Sequence, residues 1–328
     1  MKSLLWIEQN QHILHALKSV IVLAEERFEE PIQTRFVGSF ADAEEALSES
    51  SADFIIVDPT LLAQASESLL ETFKSSNLIF YTHLNANEFM PLARRYNSTH
   101  VLLKELPFDS SKLVDQLKRC LFSHAYTSIW GFEHSQSETH VLKNSDDMFN
   151  VMSRIEGLLE NVLSLEARME LCTPLMEAIT NAVYHAPKRS KQSQEDKYRK
   201  GEHIQALDSH EAVDVTIHIN DAWVAVAIKD YQGTLTIDDI LNGICKNFTQ
   251  EALYDENGRG FFLMYCLMDE LQITLEPERS CEIILLKSRL ENAPVNVSND
   301  AIFSIDDEGS IRNKPLIINV LKPEALLA

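Results

Sequence analysis

Between residues 4 and 125, short apolar runs alternate with stretches whose hydrophobic positions recur every three or four residues. This is the pattern of a parallel sheet flanked by helices. Strands are expected at Leu4–Ile7, Phe54–Val57, Leu78–Tyr81 and Val101–Leu103, with a weaker run at Thr34–Val37. All but the last of these are nearly continuous in apolar residues, as strands buried on both faces are. Helices fill the gaps, for example Ala41–Ser48 and Ser111–Cys120, where Leu113, Val114, Leu117 and Leu121 share one face.

From Ser123 to Thr139 the chain turns polar, with Trp130-Gly131-Phe132 as its one hydrophobic anchor, and a domain junction is placed there. Two helices follow, Ser145–Leu163 with a cap at Ser145 or Asp146, and Leu171–Ala186, stopped by Pro187. The basic stretch 187–201 reads as a solvated loop. The period then changes to two: Val213, Val215, Ile217 and Ile219 alternate with polar residues, Asn220-Asp221 turns the chain, and Trp223–Lys229 returns as a hairpin. Gln272–Leu275 and Glu282–Leu286 extend that sheet, and the tail carries strand-like runs at Ala301–Ile305 and Leu316–Leu321. The expected division is 1–125, a linker at 126–137, a second domain at 138–290 and a C-terminal extension at 291–328. No internal repeat is visible, and nothing is of low complexity beyond the basic loop.

Composition narrows the classes. A chain of 328 residues exceeds what one core usually supports. A net charge of −21 and a pI near 4.9 oppose nucleic acid and anionic membrane as partners and favour proteins or small ligands. The cysteines, Cys120, Cys172, Cys245, Cys266 and Cys281, are widely spaced and form no Cys-x-x-Cys pair, so neither a disulfide framework nor a zinc site is indicated. Leu4–Ile7 is too short for a signal-peptide core, and no apolar run reaches membrane-spanning length. A cytoplasmic protein is the expectation.

The candidate chemistry lies in the second domain. Spacing of four places Glu177, Asn181 and His185 on one helix face. Asp230-Tyr231-Gln232-Gly233 ends a strand, and Gly258-Arg259-Gly260 opens an apolar helix, where backbone N–H groups can receive phosphate. Taken singly, Glu177 and Asn181 fit an ordinary solvated helix face, and His185 fits a helix-end residue that complements the dipole. Their order and spacing are what favour a nucleotide site.

Together these segments resemble the Bergerat-fold (GHKL) ATPases, which include gyrases, one class of heat-shock chaperones, histidine kinases and the anti-sigma serine kinases. The run Gly260-Phe261-Phe262-Leu263-Met264 is most similar to the anti-sigma kinase branch. The resemblance covers residues 138–290 and implies an α+β two-layer fold that binds ATP with magnesium. It makes Asn181 the magnesium ligand, Glu177 the base toward an attacking hydroxyl, and Asp230 the acceptor for the adenine amino group. It assigns Gly233, Gly258, Arg259 and Gly260 to the nucleotide as well, and Ile240–Asn257 to a lid. Two departures stand out: the family's glycine two residues after the adenine Asp is Gln232 here, with Gly233 one place later, and a later Gly-Thr pair is Ser280-Cys281.

The first domain resembles a response-regulator receiver, a flavodoxin-like doubly wound fold with its site at the carboxyl ends of the strands. The resemblance makes Asp58 the phospho-acceptor, with Thr82, Lys104 and Glu8 around it; the family's acidic pair after the first strand is Glu8-Gln9 here. A structural Asp, Thr and Lys in a pseudo-receiver that works without phosphorylation fits the same residues. The functional expectation is a signalling regulator that phosphorylates Ser or Thr of an anti-sigma-antagonist-like or sigma-factor-like partner, with gating by the receiver-like domain; the resemblance also admits a homodimer. The alternative is a catalytically inactive nucleotide-binding or pseudo-receiver module that sequesters a regulatory partner. A sensor histidine kinase is disfavoured, because no helix upstream of the ATPase-like domain carries a His-Glu or His-Asp dipeptide in a dimerising heptad, and residues 126–145 are too short and polar.

Overall fold

The computed structural model describes residues 2–24, 28, 31–104, 110–122, 136–186, 204, 206–209, 211–248, 259–289 and 315–320. The chain divides into two units, Met1–Ser123 with Pro315–Ile317, and His124–Lys314 with Ile318–Ala328.

The first unit alternates β1 (Lys2–Ile7), α1 (Gln11–Ala24), β2 (Ile32–Val37), α2 (Phe40–Glu49), β3 (Phe54–Val57), a 3-10 turn (Pro59–Gln64), α3 (Glu67–Ser75), β4 (Asn77–Thr82), α4 (Ala86–Tyr96), β5 (His100–Leu103) and α5 (Ser110–Leu121). The strands pair in parallel in the order β2-β1-β3-β4-β5, the flavodoxin-like doubly wound order. Strand β3 is buried at all its positions, whereas β2 is half-exposed along most of its length. Its edge position explains why its apolar signal is weak. Trp6 is fully buried between Phe36, stacked at 6.0 Å, and Tyr81, edge-on at 5.3 Å. Ser39 and Ser66 start α2 and α3 by accepting the N–H groups of Asp42 and Leu69. The winding gathers Glu8, Asp58, Thr82 and Lys104 at the carboxyl ends of β1, β3, β4 and β5.

The second unit is a two-layer α+β arrangement. Its antiparallel sheet runs β6 (Gln136–Leu142), β7 (Val213–Ile219), β8 (Trp223–Asp230), β10 (Ser280–Ser288), β9 (Glu270–Glu276). Helices α6 (Asp146–Leu159), α7 (Leu165–Thr180), α8 (Ile237–Cys245) and α9 (Arg259–Leu267) belong to the same unit, and α7 packs on β8 and β10. Strand register sorts the side chains by face: Val224, Val226, Ile228 and Asp230 align with Lys287, Leu285, Ile283 and Cys281 beneath α7, and Ala225, Ala227, Ile284 and Leu286 cluster with Trp223 on the other face.

Three elements differ from expectation. Strand β6 occupies a stretch placed partly in the linker, and its sequence hides it because its inward positions are polar: the Arg154 guanidinium on α6 binds both oxygens of Glu138 at 2.8 Å. Helix α7 begins six residues early, at a Ser164 cap that accepts the N–H of Ala167, and passes through Pro174. Its end, Asn181–His185, widens into a π turn closed by the Ala186 N–H on the Asn181 carbonyl at 3.0 Å. The run Leu316–Leu321, expected in an extension, forms β11 (Leu316–Val320), whose Leu316 and Ile317 are buried and pair antiparallel with β5. Ala301–Ile305 lies outside the described residues.

Candidate functional site

In the second unit α7, the end of β8 and the start of α9 enclose a cavity of about 490 Å³. Glu177, Asn181, Arg259 and Gly260 line one side of this cavity, and Ile228, Asp230, Thr234, Cys281 and Ile283 also line it. A volume of this order suits a nucleotide-sized ligand.

Glycine at 260 lets α9 come close to α7. A Cβ there would lie 3.2 Å from Glu177 Oε2 and 3.4 Å from Asn181 Nδ2. The N-terminus of α9 therefore comes directly against the two polar side chains of α7, with the positive end of the helix dipole at the cavity. Among the described residues, neither Glu177 nor the Asn181 amide has a hydrogen-bond partner from the protein. Burial pushes the Glu177 carboxyl above its ordinary value. A carboxylate and a side-chain amide together at the positive end of a helix offer oxygen atoms of the kind a hard cation takes.

Asp230 is buried, and its Oδ1 takes the N–H groups of Gln232 at 2.9 Å and Gly233 at 3.2 Å. Burial raises its carboxyl despite those bonds. Oδ2 has no partner among the described residues, which leaves an acceptor for a ligand amino group. Cys281 faces Asp230 across the ladder, and its thiol is pushed well up, first by burial and then by the charges of Asp230 and Glu282. It stays a neutral, apolar wall.

Gly233 stands beside the cavity, its N–H on Asp230 Oδ1, and is not itself among the lining residues. It has φ of +55°, and a Cβ there would meet Glu276 O at 2.4 Å and Arg279 N at 2.5 Å. Its carbonyl accepts the N–H of Glu278 at 3.0 Å. The glycine sits one place late because the β9–β10 turn packs on the backbone at that place. Gly258 lies outside the described residues, as do residues 249–257 of the expected lid; of the lid's described part, Gly243 lines the cavity. His185 lines it too. Sequence reasoning missed Ile228, Thr234 and Ile283, and met Cys281 only as part of the altered Gly-Thr pair. Alternation with Asp230 along β8 could have found Ile228, but Cys281 and Ile283 reach the cavity only through strand register.

In the first unit the strand ends do bring Glu8, Asp58 and Lys104 together. Lys104 Nζ donates to Asp58 Oδ2 at 2.8 Å and lies 2.8 Å from Glu8 Oε2, an ion pair without hydrogen-bond alignment. Asp58 Oδ1 accepts the Thr60 N–H at 3.0 Å and the Thr60 hydroxyl at 2.7 Å, capping the 3-10 turn. Glu8 Oε1 accepts the Asn10 N–H at 2.9 Å. Burial would raise the Asp58 carboxyl, but the bonds from Lys104 and Thr60 outweigh it and hold it below its ordinary value. Thr82 is fully buried, and its hydroxyl accepts the Leu84 N–H at 3.1 Å. His83 is exposed with Nδ1 at 3.9 Å from Asp58 Oδ2.

Residues 145–286 match the family model described as the histidine kinase-like ATPase domain, and such a domain implies ATP binding. No curated protein matches the chain. Among solved structures, the chain is similar to a two-component response regulator from Clostridium difficile (13% identity, TM-score 0.31, 39% of this chain and 100% of that one). It is also similar to the receiver domain of an HD domain-containing protein from Pseudomonas fluorescens Pf-5 (19%, 0.30, 39% and 98%) and to Vibrio cholerae chemotaxis protein CheY4 (16%, 0.29, 36% and 98%). No helix among the described residues is long and apolar enough to cross a membrane.

Proposed function

We propose, from the premise that residues 145–286 are a histidine kinase-like ATPase domain, that this chain is a cytoplasmic signalling regulator that transfers the γ-phosphoryl of ATP to a Ser or Thr of a partner protein. The supporting observation is the convergence of Glu177, Asn181, Asp230, Arg259 and Gly260 on one cavity. Asp230 Oδ2 would accept the adenine amino group, and the α9 N-terminus with Arg259 would hold the phosphates. Asn181 Oδ1 would hold magnesium, which supplies charge neutralisation at the phosphates when bound. Glu177 would take the proton from the attacking hydroxyl as its oxygen bonds to the γ-phosphorus; the bond to ADP breaks and ADP leaves with the electron pair. Its raised carboxyl favours this role, because a base nearer neutrality holds the proton better. The partner class is an anti-sigma-antagonist-like or sigma-factor-like protein.

For the first unit the engaged oxygens of Asp58 and Glu8 favour a module that acts without phosphorylation. Incubating the full chain with Mg-ATP and candidate partners, and separately with acetyl phosphate, tests both readings. Phosphoserine or phosphothreonine on a partner, lost in Asn181→Ala, is expected, with no label at Asp58. No phosphoprotein, and Mg-ATP binding that Asn181→Ala leaves unchanged, would sink the kinase. A hydroxylamine-labile phosphate absent from Asp58→Asn would sink the second reading.

A further inference from the structure

We infer that Lys287 is a positioning residue: one buried ammonium sets α7 against α9 and thereby holds Glu177 and Asn181 over the start of α9. The inference rests on the nucleotide reading of the cavity. Lys287 is 3% exposed on β10, two helical turns away from the site along both helices. Its Nζ lies 2.6 Å from Glu170 Oε2, and it donates to the Leu267 carbonyl at 3.0 Å and to Asp269 Oδ1 at 3.1 Å. Asp269 is itself tied to β10, its Oδ2 accepting the Ser288 N–H at 2.8 Å.

The placement follows a simple geometry. Glu170 precedes Glu177 by two turns on one face of α7, and Leu267 follows Gly260 by two turns on α9. The helices pack together; Glu177 lies against Gly260 at the cavity and Glu170 and Leu267 are joined through Lys287, so the two helices run in opposite directions. Between the two contacts α7 contains Pro174, which cannot donate to the Glu170 carbonyl and so weakens the helix one turn before Glu177. Lys287 grips the Glu170 side chain at that weakened turn. The same ammonium caps the negative end of α9 at its last carbonyl. A shift of α7 along α9 would carry Glu177 and Asn181 away from the phosphate side while leaving Asp230, on β8, in place.

The test compares Lys287→Met and the charge-balanced Glu170→Gln/Lys287→Met with the unaltered full chain. Affinities for Mg-ATP and for adenosine are measured by calorimetry, and amide hydrogen exchange is followed across Ala178–Ala186. Both variants should lower the Mg-ATP to adenosine affinity ratio by roughly 10- to 100-fold, the penalty for small misplacement of positioned groups, and should speed exchange in that segment. The double variant strands no buried charge partner at Glu170, so it remains informative where the single one unfolds. An unchanged ratio, an equal loss for both ligands, or unchanged exchange in the double variant would overturn the role of Lys287. An unaltered chain that binds neither ligand would instead overturn the nucleotide reading, and the proposed role toward nucleotide with it.

Discussion

Asp58 in the first unit and Asp230 in the second both sit at the carboxyl end of a strand, both are buried, and both cap the turn that follows with Oδ1. Their second oxygens separate them. Asp58 Oδ2 is taken by Lys104, and Glu8 beside it is likewise engaged at both oxygens. Asp230 Oδ2 has no partner among the described residues and faces a cavity, as do the Glu177 carboxylate and the Asn181 amide. The pKa directions record the contrast: Asp58 is lowered, Asp230 and Glu177 are raised. A buried carboxylate with its partners built in does structural work, whereas one kept without them in a cavity costs stability and is retained for something that binds.

The largest effect is expected where a partner is built in. Lys104→Met strands Glu8 and Asp58 without their counter-ion, and breaking a buried ion pair costs about 3–5 kcal/mol. Native-state hydrogen exchange across β1 and β3 should show the loss. Glu177→Gln, read across α7, should cost nothing because no partner among the described residues is lost and a half-buried charge disappears. Comparable losses in the two variants would erase the distinction.

A smaller effect comes from Glu282, whose register partners are Lys229 and Thr274 on the face opposite the cavity. Burial pushes its carboxyl from 4.5 up to about 7, against the opposing pull of Lys229. The folded state therefore holds a proton that the unfolded chain releases at 4.5. The stability contributed is full below pH 4.5 and is lost as pH rises to about 7. At about 1.4 kcal/mol per unit this amounts to roughly 3 kcal/mol. Glu282→Gln should flatten the second unit's stability over that interval, measured by urea unfolding at successive pH values. An unaltered slope would show that Lys229 already compensates the charge.

The parallel strands of the first unit were legible because burial on both faces leaves an apolar run, and Glu8, Asp58, Thr82 and Lys104 could be placed because a doubly wound sheet gathers consecutive strand ends. The hairpin β7–β8 was legible through alternation. Strand β6 was not, because Glu138 and His140 occupy inward positions and answer to Arg154 and to one another at 2.9 Å. On α7 the spacing of Glu177 and Asn181 could be read, but the π turn after them could not, since it depends on one backbone bond to Ala186. Gly233 shows the same boundary. Its identity was visible and its displacement by one place was noticed, but the reason is the β9–β10 turn, which is distant in sequence. Local pattern predicts elements; which atoms meet across register requires the fold.

The smallest effect is also the most direct test of the contrast, because the same isosteric change is made at both aspartates. Asp58→Asn keeps an acceptor for the Thr60 cap but loses the charge-assisted bond to Lys104, while Glu8 still neutralises the ammonium, so roughly 1.5 kcal/mol should be lost at neutral pH. The Asp58 contribution is complete above the unfolded value of 3.8 and disappears as pH falls through its lowered folded value, so the variant should differ least from the parent in acid. Asp230 has the opposite sign. Its raised carboxyl contributes stability that is present below 3.8 and lost as pH rises through the folded value, so Asp230→Asn should stabilise the second unit at neutral pH. The Asn carbonyl can still accept from Gln232 and Gly233, but the amide then presents donors to an adenine amino group, and ATP affinity should fall. Exchange-derived stabilities of both variants at neutral and acid pH decide the matter: two changes of like sign would mean that the carboxylates differ only in degree, whereas opposite signs, with ATP affinity lowered in Asp230→Asn alone, would mean that one is a structural anchor and the other a reserved ligand.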